Sequence, residues 1–330
     1  MRRRRPGLGA PAASPPLSAD ALTIDTIADQ VQAGDPRALA RAISWVENGD
    51  TRVRSLEKAL QAPAAAARVI GLTGAPGAGK STVTSALVGV FRGRGKRTAV
   101  LAIDPTSPFS GGALLGDRIR MQGHATDAGV FIRSMGSRGQ LGGLAAATPQ
   151  AIRVLAAAGY EVILVETVGV GQAEVEIASA ADTTVVLVVP GMGDSIQAAK
   201  AGVLEIADVL VVNKADRPDT QATVRDLRTM VALARGEWRP PIVTTVGTTG
   251  EGVDELVRQL DKHEAWLDAS GERARRQLAR ARDEVTALAF GAVARRLTVP
   301  DELAARVADG RSGPHEAAEE LLVSAGILKA

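Results

Sequence analysis

The chain has 330 residues, 45% of them hydrophobic, which is enough for one substantial core with smaller appendages. Its 39 Lys and Arg nearly balance 37 Asp and Glu, and four of the positives stand together at Arg2, Arg3, Arg4 and Arg5, so a pI of 9.1 does not argue for nucleic acid. The absence of cysteine excludes disulfides and thiolate metal sites, and no run reaches the roughly 18 apolar residues a membrane span needs.

The first 16 residues are rich in Arg, Ala and Pro and carry no acid. They resemble a transit peptide superficially but lack the apolar core of a secretory signal, so residues 1–18 are read as a disordered tail. Residues 19–67 form an N-terminal helical extension. Ile24, Ile27 and Val31 mark one helical stripe, and Leu39, Ala42, Ile43 and Val46 mark a second. Asp50-Thr51 breaks the pattern before a short helix, Arg52 to Leu60.

From 68 to 268, apolar runs alternate with amphipathic ones. Strands are expected at Arg68 to Thr73, Thr98 to Ile103, Val130 to Ser134, Glu161 to Glu166, Thr183 to Val189, Val209 to Val212 and Pro241 to Val246. Several are Val/Ile-rich at consecutive positions, as in strands covered on both faces. Helical stretches lie between them, which predicts an α/β fold with a mostly parallel, doubly wound sheet. Residues 269–330 are rich in Arg, Ala and Glu and read as helical throughout.

The first strand runs into Gly74-Ala75-Pro76-Gly77-Ala78-Gly79-Lys80-Ser81, and Thr82 continues into a helix. Strand, glycine-rich loop and helix in that order are the context a phosphate-binding loop requires. Glycines let backbone N–H groups turn inward around phosphates, and the helix N-terminus adds its dipole. Lys80 is placed to reach the β- and γ-phosphates, and the Ser81 hydroxyl to ligate Mg²⁺. Downstream, the strand ending at Val212 opens directly into Asn213-Lys214-Ala215-Asp216. A carboxylate at Asp216 can accept from both N1–H and the exocyclic amine of guanine, a donor pair adenine lacks. Lys214 would lay its stem along the base, and Asn213 would tie this loop to the phosphate loop. Together the two motifs predict a GTPase.

Two further acids close strands. Asp104 follows Ala99-Val100-Leu101-Ala102-Ile103, and Pro105 is expected to turn the chain out of the strand. Glu166 follows Val162-Ile163-Leu164-Val165 and opens Glu166-Thr167-Val168-Gly169. Ligands of open α/β sheets bind outside the carboxyl ends of the strands, so both carboxylates should share a crevice with Ser81. With Lys80 they are the candidate catalytic groups, and the Gly169 N–H could contact the γ-phosphate. Val170 follows Gly169 where many GTPases place a water-orienting Gln, and the nearest Gln is Gln172. Slow turnover, accelerated by a partner, is the expectation.

Several segments resemble one family. Asp104-Pro105-Thr106-Ser107, the run Gly111 to Met121, Gly136-Ser137-Arg138-Gly139-Gln140-Leu141-Gly142-Gly143, Glu166 to Gln172 and Gly191-Met192-Gly193-Asp194-Ser195-Ile196-Gln197 look like the MeaB/MMAA-type GTPases associated with methylmalonyl-CoA mutase, once labelled ArgK transport kinases and counted among the SIMIBI-class P-loop GTPases. The resemblance runs from about Thr23 to the C-terminus and is densest from Ile70 to Asp216. It implies a G-protein chaperone of a B12-dependent acyl-CoA mutase, gating adenosylcobalamin loading and protecting or reactivating the enzyme, in the cytoplasm or, in a eukaryote, the mitochondrial matrix. It implies a Mg²⁺ site at Ser81, Asp104, Asp117 and Glu166, and a partner-responsive loop containing Asp194, Gln197 and Lys200. It implies a homodimer formed through the helices of 269–330, with adenosylcobalamin met only through the mutase. Thr244-Thr245-Val246-Gly247 stands where the family's guanine-closing loop commonly reads Ser-Ala.

Alternatives fit less well. A metal-insertion GTPase would want a ligand cluster, whereas His124, His263 and His315 are scattered. A signal-recognition GTPase would want a Met-rich or basic RNA-binding domain. A small-molecule kinase would prefer ATP and have no use for Asp216.

Overall fold

The computed structural model describes residues 23–60, 67–105, 122–124, 126–137, 143–167, 179–191, 205–233 and 236–328. Three helices come first: α1 (Ile24–Gln32), α2 (Pro36–Glu47) and α3 (Arg52–Leu60). Their starts are set by local chemistry. Thr23 Oγ1 accepts the Thr26 N–H, and Asp35 Oδ1 accepts the Ala38 N–H with Pro36 in the first helical turn.

Then follow β1 (Arg68–Gly74), α4 (Lys80–Gly93), β2 (Thr98–Pro105), β3 (Val130–Ser137), α5 (Gly143–Ala157), β4 (Val162–Thr167), β5 (Thr183–Val188), β6 (Val209–Asn213), α6 (Thr220–Leu233), β7 (Ile242–Thr245) and α7 (Val253–Ser270). Beyond them lie α8 (Glu272–Ala294), α9 (Asp301–Ala308) and α10 (Pro314–Ser324). The seven strands form one sheet, order β3-β2-β4-β1-β5-β6-β7, and every pairing is parallel. All seven expected strands are present, with ends shifted by a few residues.

Pro105, expected to turn the chain out of the strand, is the last residue of β2 and pairs with Ser137 of β3; the residues that follow it lie outside the described ones.

Side chains of the strands alternate between apolar clusters on the two faces of the sheet, three clusters in all, which explains the continuous apolar strands. On β1 and β4, Val69, Ile163 and Val165 join one cluster, while Ile70, Leu72, Val162 and Leu164 join the other. The second cluster holds Val83, Leu87 and Phe91 of α4 and Leu256 and Leu260 of α7. The first holds α5 together with α1, α2 and α3, through Ile27, Leu39, Ile43 and Leu56. The N-terminal helices therefore cover one face of the sheet and share its core. Arg133 of β3 reinforces that contact by donating to Glu47 Oε2 at 2.6 Å and Ser44 Oγ at 2.8 Å on α2.

Candidate nucleotide site

Strand β1 lies in the middle of the sheet with β4 on one side and β5 on the other. The chain leaves β1 toward β2, whereas β4 leads to β5 on the opposite side, so the order reverses here and a crevice opens at the carboxyl ends. Gly74 ends β1 at φ +144°, and a Cβ there would lie 2.2 Å from the Leu187 carbonyl oxygen of β5. Only glycine lets the loop leave the sheet at this point. Gly79, at φ +89°, is the N-cap of α4, and a Cβ on it would sit 2.3 Å from Asn213 Nδ2. Between them Ala78 is fully buried, while Pro76 and Gly77 are exposed.

Lys80 is 6% exposed, and its ammonium donates to the Gly74 carbonyl at 2.7 Å and the Ala75 carbonyl at 3.2 Å. The charge is held at the mouth of the loop by the carbonyls of the loop itself. Ser81 Oγ donates to Glu166 Oε1 at 2.5 Å, both side chains buried. A hydroxyl on the first turn of α4 and a carboxylate ending β4 thus meet beside the phosphate loop. A charge-assisted bond this short fixes both rotamers. Thr167, next to Glu166, donates to Thr73 Oγ1 at 3.2 Å and ties the ends of β4 and β1 together.

Asn213 joins three segments. Its Nδ2 donates to the Ala78 carbonyl of the phosphate loop at 2.8 Å. Its Oδ1 accepts from Thr245 Oγ1 and from the Gly247 N–H, each at 3.1 Å. Lys214 adopts φ +57° and donates from Nζ to the Gly77 carbonyl at 2.8 Å. The Ala215 N–H reaches the Thr245 carbonyl at 3.0 Å, and Asp216 is exposed at the rim. The turn after β7 is itself braced, since Val246 bridges Glu251 and a Cβ on Gly252 would lie 2.0 Å from the Thr244 carbonyl.

Gly74 to Thr82, Glu166, Asn213, Lys214 and Asp216 are therefore gathered at one edge of the sheet. Asp104 is the penultimate residue of β2, opposite Gly136, and its side chain lies outside the described residues. Asp117, Gly169, Val170, Gln172, Asp194, Gln197 and Lys200 also lie outside them. Thr245 and Gly247 fall in the segment expected to close on guanine, but their bonds to Asn213, like that between Thr73 and Thr167, depend on which strand ends become neighbours.

A second polar cluster occupies the opposite edge, where β5 and β6 begin. Asp208 Oδ2 accepts the Thr184 N–H at 2.8 Å, and Asp182 Oδ2 accepts the Val69 N–H at 3.0 Å. Arg276 of α8 clasps both Asp208 oxygens at 2.9 Å, and Arg280 reaches Asp182 Oδ1 at 2.6 Å. His263 is fully buried, with Nδ1 2.8 Å from Thr183 Oγ1 and Nε2 3.2 Å from Asp208 Oδ1, off the line of a well-formed hydrogen bond. Burial alone would raise the Asp208 carboxyl, but His263 and Arg276 overcome it and hold the group below its ordinary range. His263 is thus a structural residue of the sheet's foot, away from the nucleotide loops.

A phosphate loop leaving the central strand of a parallel sheet, braced by an Asn-Lys-Ala-Asp turn, defines a P-loop GTPase. The family model described as methylmalonyl Co-A mutase-associated GTPase MeaB matches residues 39–301, and the chain belongs to this family. It is 45% identical over 308 residues to a protein of Pyrococcus horikoshii named as a GTPase, covering 91% of this chain and 97% of that one. It is 35% identical over 269 residues to the mouse methylmalonic aciduria type A homolog, mitochondrial, covering 76% of this chain and 65% of that protein. The crystal structure of LAO/AO transport system kinase superposes with a TM-score of 0.64 at 26% identity, covering 93% of this chain and 98% of that one. Among the described residues, no helix is long and apolar enough to cross a membrane.

Proposed function

We propose that the protein uses GTP binding and hydrolysis to gate adenosylcobalamin loading onto a B12-dependent acyl-CoA mutase of the methylmalonyl-CoA mutase type, and to protect or reactivate that enzyme. Membership of a mutase-associated GTPase family carries this reading. The geometry supports it: a complete phosphate loop and a guanine-type turn face the same crevice, and no other described cluster offers reaction chemistry. The cytoplasm, or a mitochondrial matrix, suits such a role.

In this reading Gly74 to Thr82 wrap the phosphates with backbone N–H groups. Lys80 gives up its two carbonyl partners for phosphate oxygens, a short reach because its ammonium already stands at the loop mouth. Asp216 selects guanine, Lys214 covers the base, and the Gly169 N–H contacts the γ-phosphate. The Ser81 hydroxyl and Glu166 carboxylate are hard oxygen donors held together in a buried position, a donor set that fits Mg²⁺. Ser81, Glu166, Asp104 and Asp117 would hold it, and the bound ion would neutralise charge on the phosphate oxygens. Asp194, Gln197 and Lys200 would meet the mutase, residues 68–268 being the GTPase body. Residues 19–67 would be its helical flank.

The chain is proposed to work as a homodimer through residues 269–330. Large apolar side chains stand exposed there, with Leu278 55%, Val285 67% and Leu288 39% accessible. A single soluble chain rarely leaves such a row uncovered.

The deciding experiment is hydrolysis of GTP and of ATP by the pure protein, with and without a B12-dependent mutase. GTP-only turnover that rises with the mutase supports the chaperone role. ATP-driven turnover indifferent to the mutase overturns it. Asp216→Asn should shift preference from guanine toward xanthine nucleotides, and Lys80→Ala should abolish turnover.

A further inference from the structure

Strand β3 lies at the edge of the sheet, where outward N–H groups have no strand to receive them. Near its carboxyl end α2 takes that place. Phe131 and Met135 pack into the cluster that holds Trp45 and Val46 of α2. Arg133, between them on the same face of the strand, donates to Ser44 and to Glu47 Oε2. Glu47 accepts a second bond, from the Gly136 N–H to Oε1 at 3.3 Å. One carboxylate thus grips β3 twice, at a side chain and at the backbone.

The place of this carboxylate in α2 is unfavourable by itself. Glu47 is the last residue of the helix, whose last turn carries no basic residue, and a negative charge there opposes the helix dipole. Its side chain is 12% exposed and depends on Arg133 of the strand for compensation. A neutral residue would end α2 at least as well, so the gain lies in the second grip on β3. Gly136, where that grip falls, is the strand partner of Asp104. Among the described residues, β4 pairs with β2 as far as Ile103, one position short of Asp104.

We propose that Glu47 is a positioning residue of the nucleotide site: through Gly136 it fixes the carboxyl ends of β3 and β2, and with them the place of Asp104 in the Mg²⁺ site. The inference rests on the reading of Asp104 as a metal ligand and adds what holds that ligand in place. Mg²⁺ demands near-ideal octahedral geometry at about 2.1 Å, so a ligand on a strand end that shifts by a few tenths of an ångström loses affinity. A tether on the open side of an edge strand suppresses such shifts. Strands β1 and β4, which carry the phosphate loop and Glu166, are inner strands and need none. The N-terminal helices thereby act on the metal and leave nucleotide binding without metal untouched.

The test is Mn²⁺ binding to the GDP-bound full chain, read by electron paramagnetic resonance, with GDP affinity in EDTA as the folding control. Glu47→Ala should weaken Mn²⁺ binding about ten-fold and leave GDP affinity in EDTA unchanged. Glu47→Gln keeps the shape but leaves Arg133 and the Gly136 N–H competing for one oxygen, and should weaken Mn²⁺ binding about three-fold. It carries the test where the alanine variant does not fold. Ser44→Ala removes another bond to Arg133 in the same contact and should leave Mn²⁺ binding as in the parent. An equal loss in Ser44→Ala would assign the effect to packing and overturn the proposal. Asp104→Asn tests the reading beneath it: unchanged Mn²⁺ affinity there overturns the ligand assignment, and the proposal with it. Weaker binding in Asp104→Asn beside Glu47 variants that match the parent overturns the role of Glu47 alone. Adding Glu47→Ala to Asp104→Asn should bring little further loss, because both act at one ligand, and full additivity would overturn the route through Asp104.

Discussion

Asn213→Ala tests the idea that one buried amide holds the nucleotide loops in register. The side chain is 2% exposed and makes three hydrogen bonds, to the Ala78 carbonyl at 2.8 Å and from Thr245 Oγ1 and the Gly247 N–H at 3.1 Å. Truncation removes all three and leaves their partners to find water in a packed site. A neutral hydrogen bond contributes about 1 kcal/mol net, and a buried partner left unsatisfied costs about 1–3 kcal/mol. The expected loss is about 3 kcal/mol, divided between global stability and ordering of the loops at Gly77 and Gly247. Urea unfolding should give the first share, and GDP titration of the folded variant the second; about 3 kcal/mol is roughly a hundred-fold in affinity if it all falls on binding. Thr245→Val deletes only one of the three bonds and should cost about 1 kcal/mol. The double variant should cost less than the two singles summed, because they share that bond. A total loss under about 0.5 kcal/mol for Asn213→Ala, with unchanged GDP affinity, would show that the loops are held by something else.

Other predictions follow from the same geometry. Gly74→Ala puts a Cβ 2.2 Å from a β5 carbonyl oxygen and should abolish folding or nucleotide binding, read by circular dichroism and GDP titration. Gly79→Ala meets the hydrogen-bonded Asn213 amide nitrogen at 2.3 Å in addition to its strained φ of +89°, and should lose nucleotide affinity with less damage to the sheet. Glu166→Gln should raise the Mg²⁺ concentration for half-maximal GTP hydrolysis at least about ten-fold, and chelation should stop turnover in the parent. For Asp208, the folded pKa is depressed, so its stabilisation is complete above the unfolded pKa of about 3.9 and is lost as pH falls through the folded value. Asp208→Ala should therefore cost roughly 3–5 kcal/mol at pH 7, with the gap to the parent closing below about pH 4 in urea titrations.

Local chemistry made the phosphate loop and the guanine-type turn readable in the chain. Glycines that need positive φ, a Lys-Ser pair at a helix start and an Asn-Lys-Ala-Asp run after a β-branched strand act over a few residues. The strands were equally legible, since both faces of this sheet are covered and the apolar runs are continuous. The contacts of Thr73 with Thr167, and of Asn213 with Thr245 and Gly247, were not legible: each pair forms only when distant strand ends become neighbours.

What the sequence determined by itself is the alternation of strands and helices, the nucleotide-binding loops and their base preference, because each is written in contiguous residues whose backbone and side-chain needs are local. The tertiary structure alone decided that α1, α2 and α3 roof one face of the sheet, that Glu166 meets Ser81, and that α8 is clasped by Asp182 and Asp208. It also left an apolar row on α8 exposed. Those outcomes depend on strand order and on which helix face finds an opposite charge, so they arise from packing between segments tens to more than a hundred residues apart.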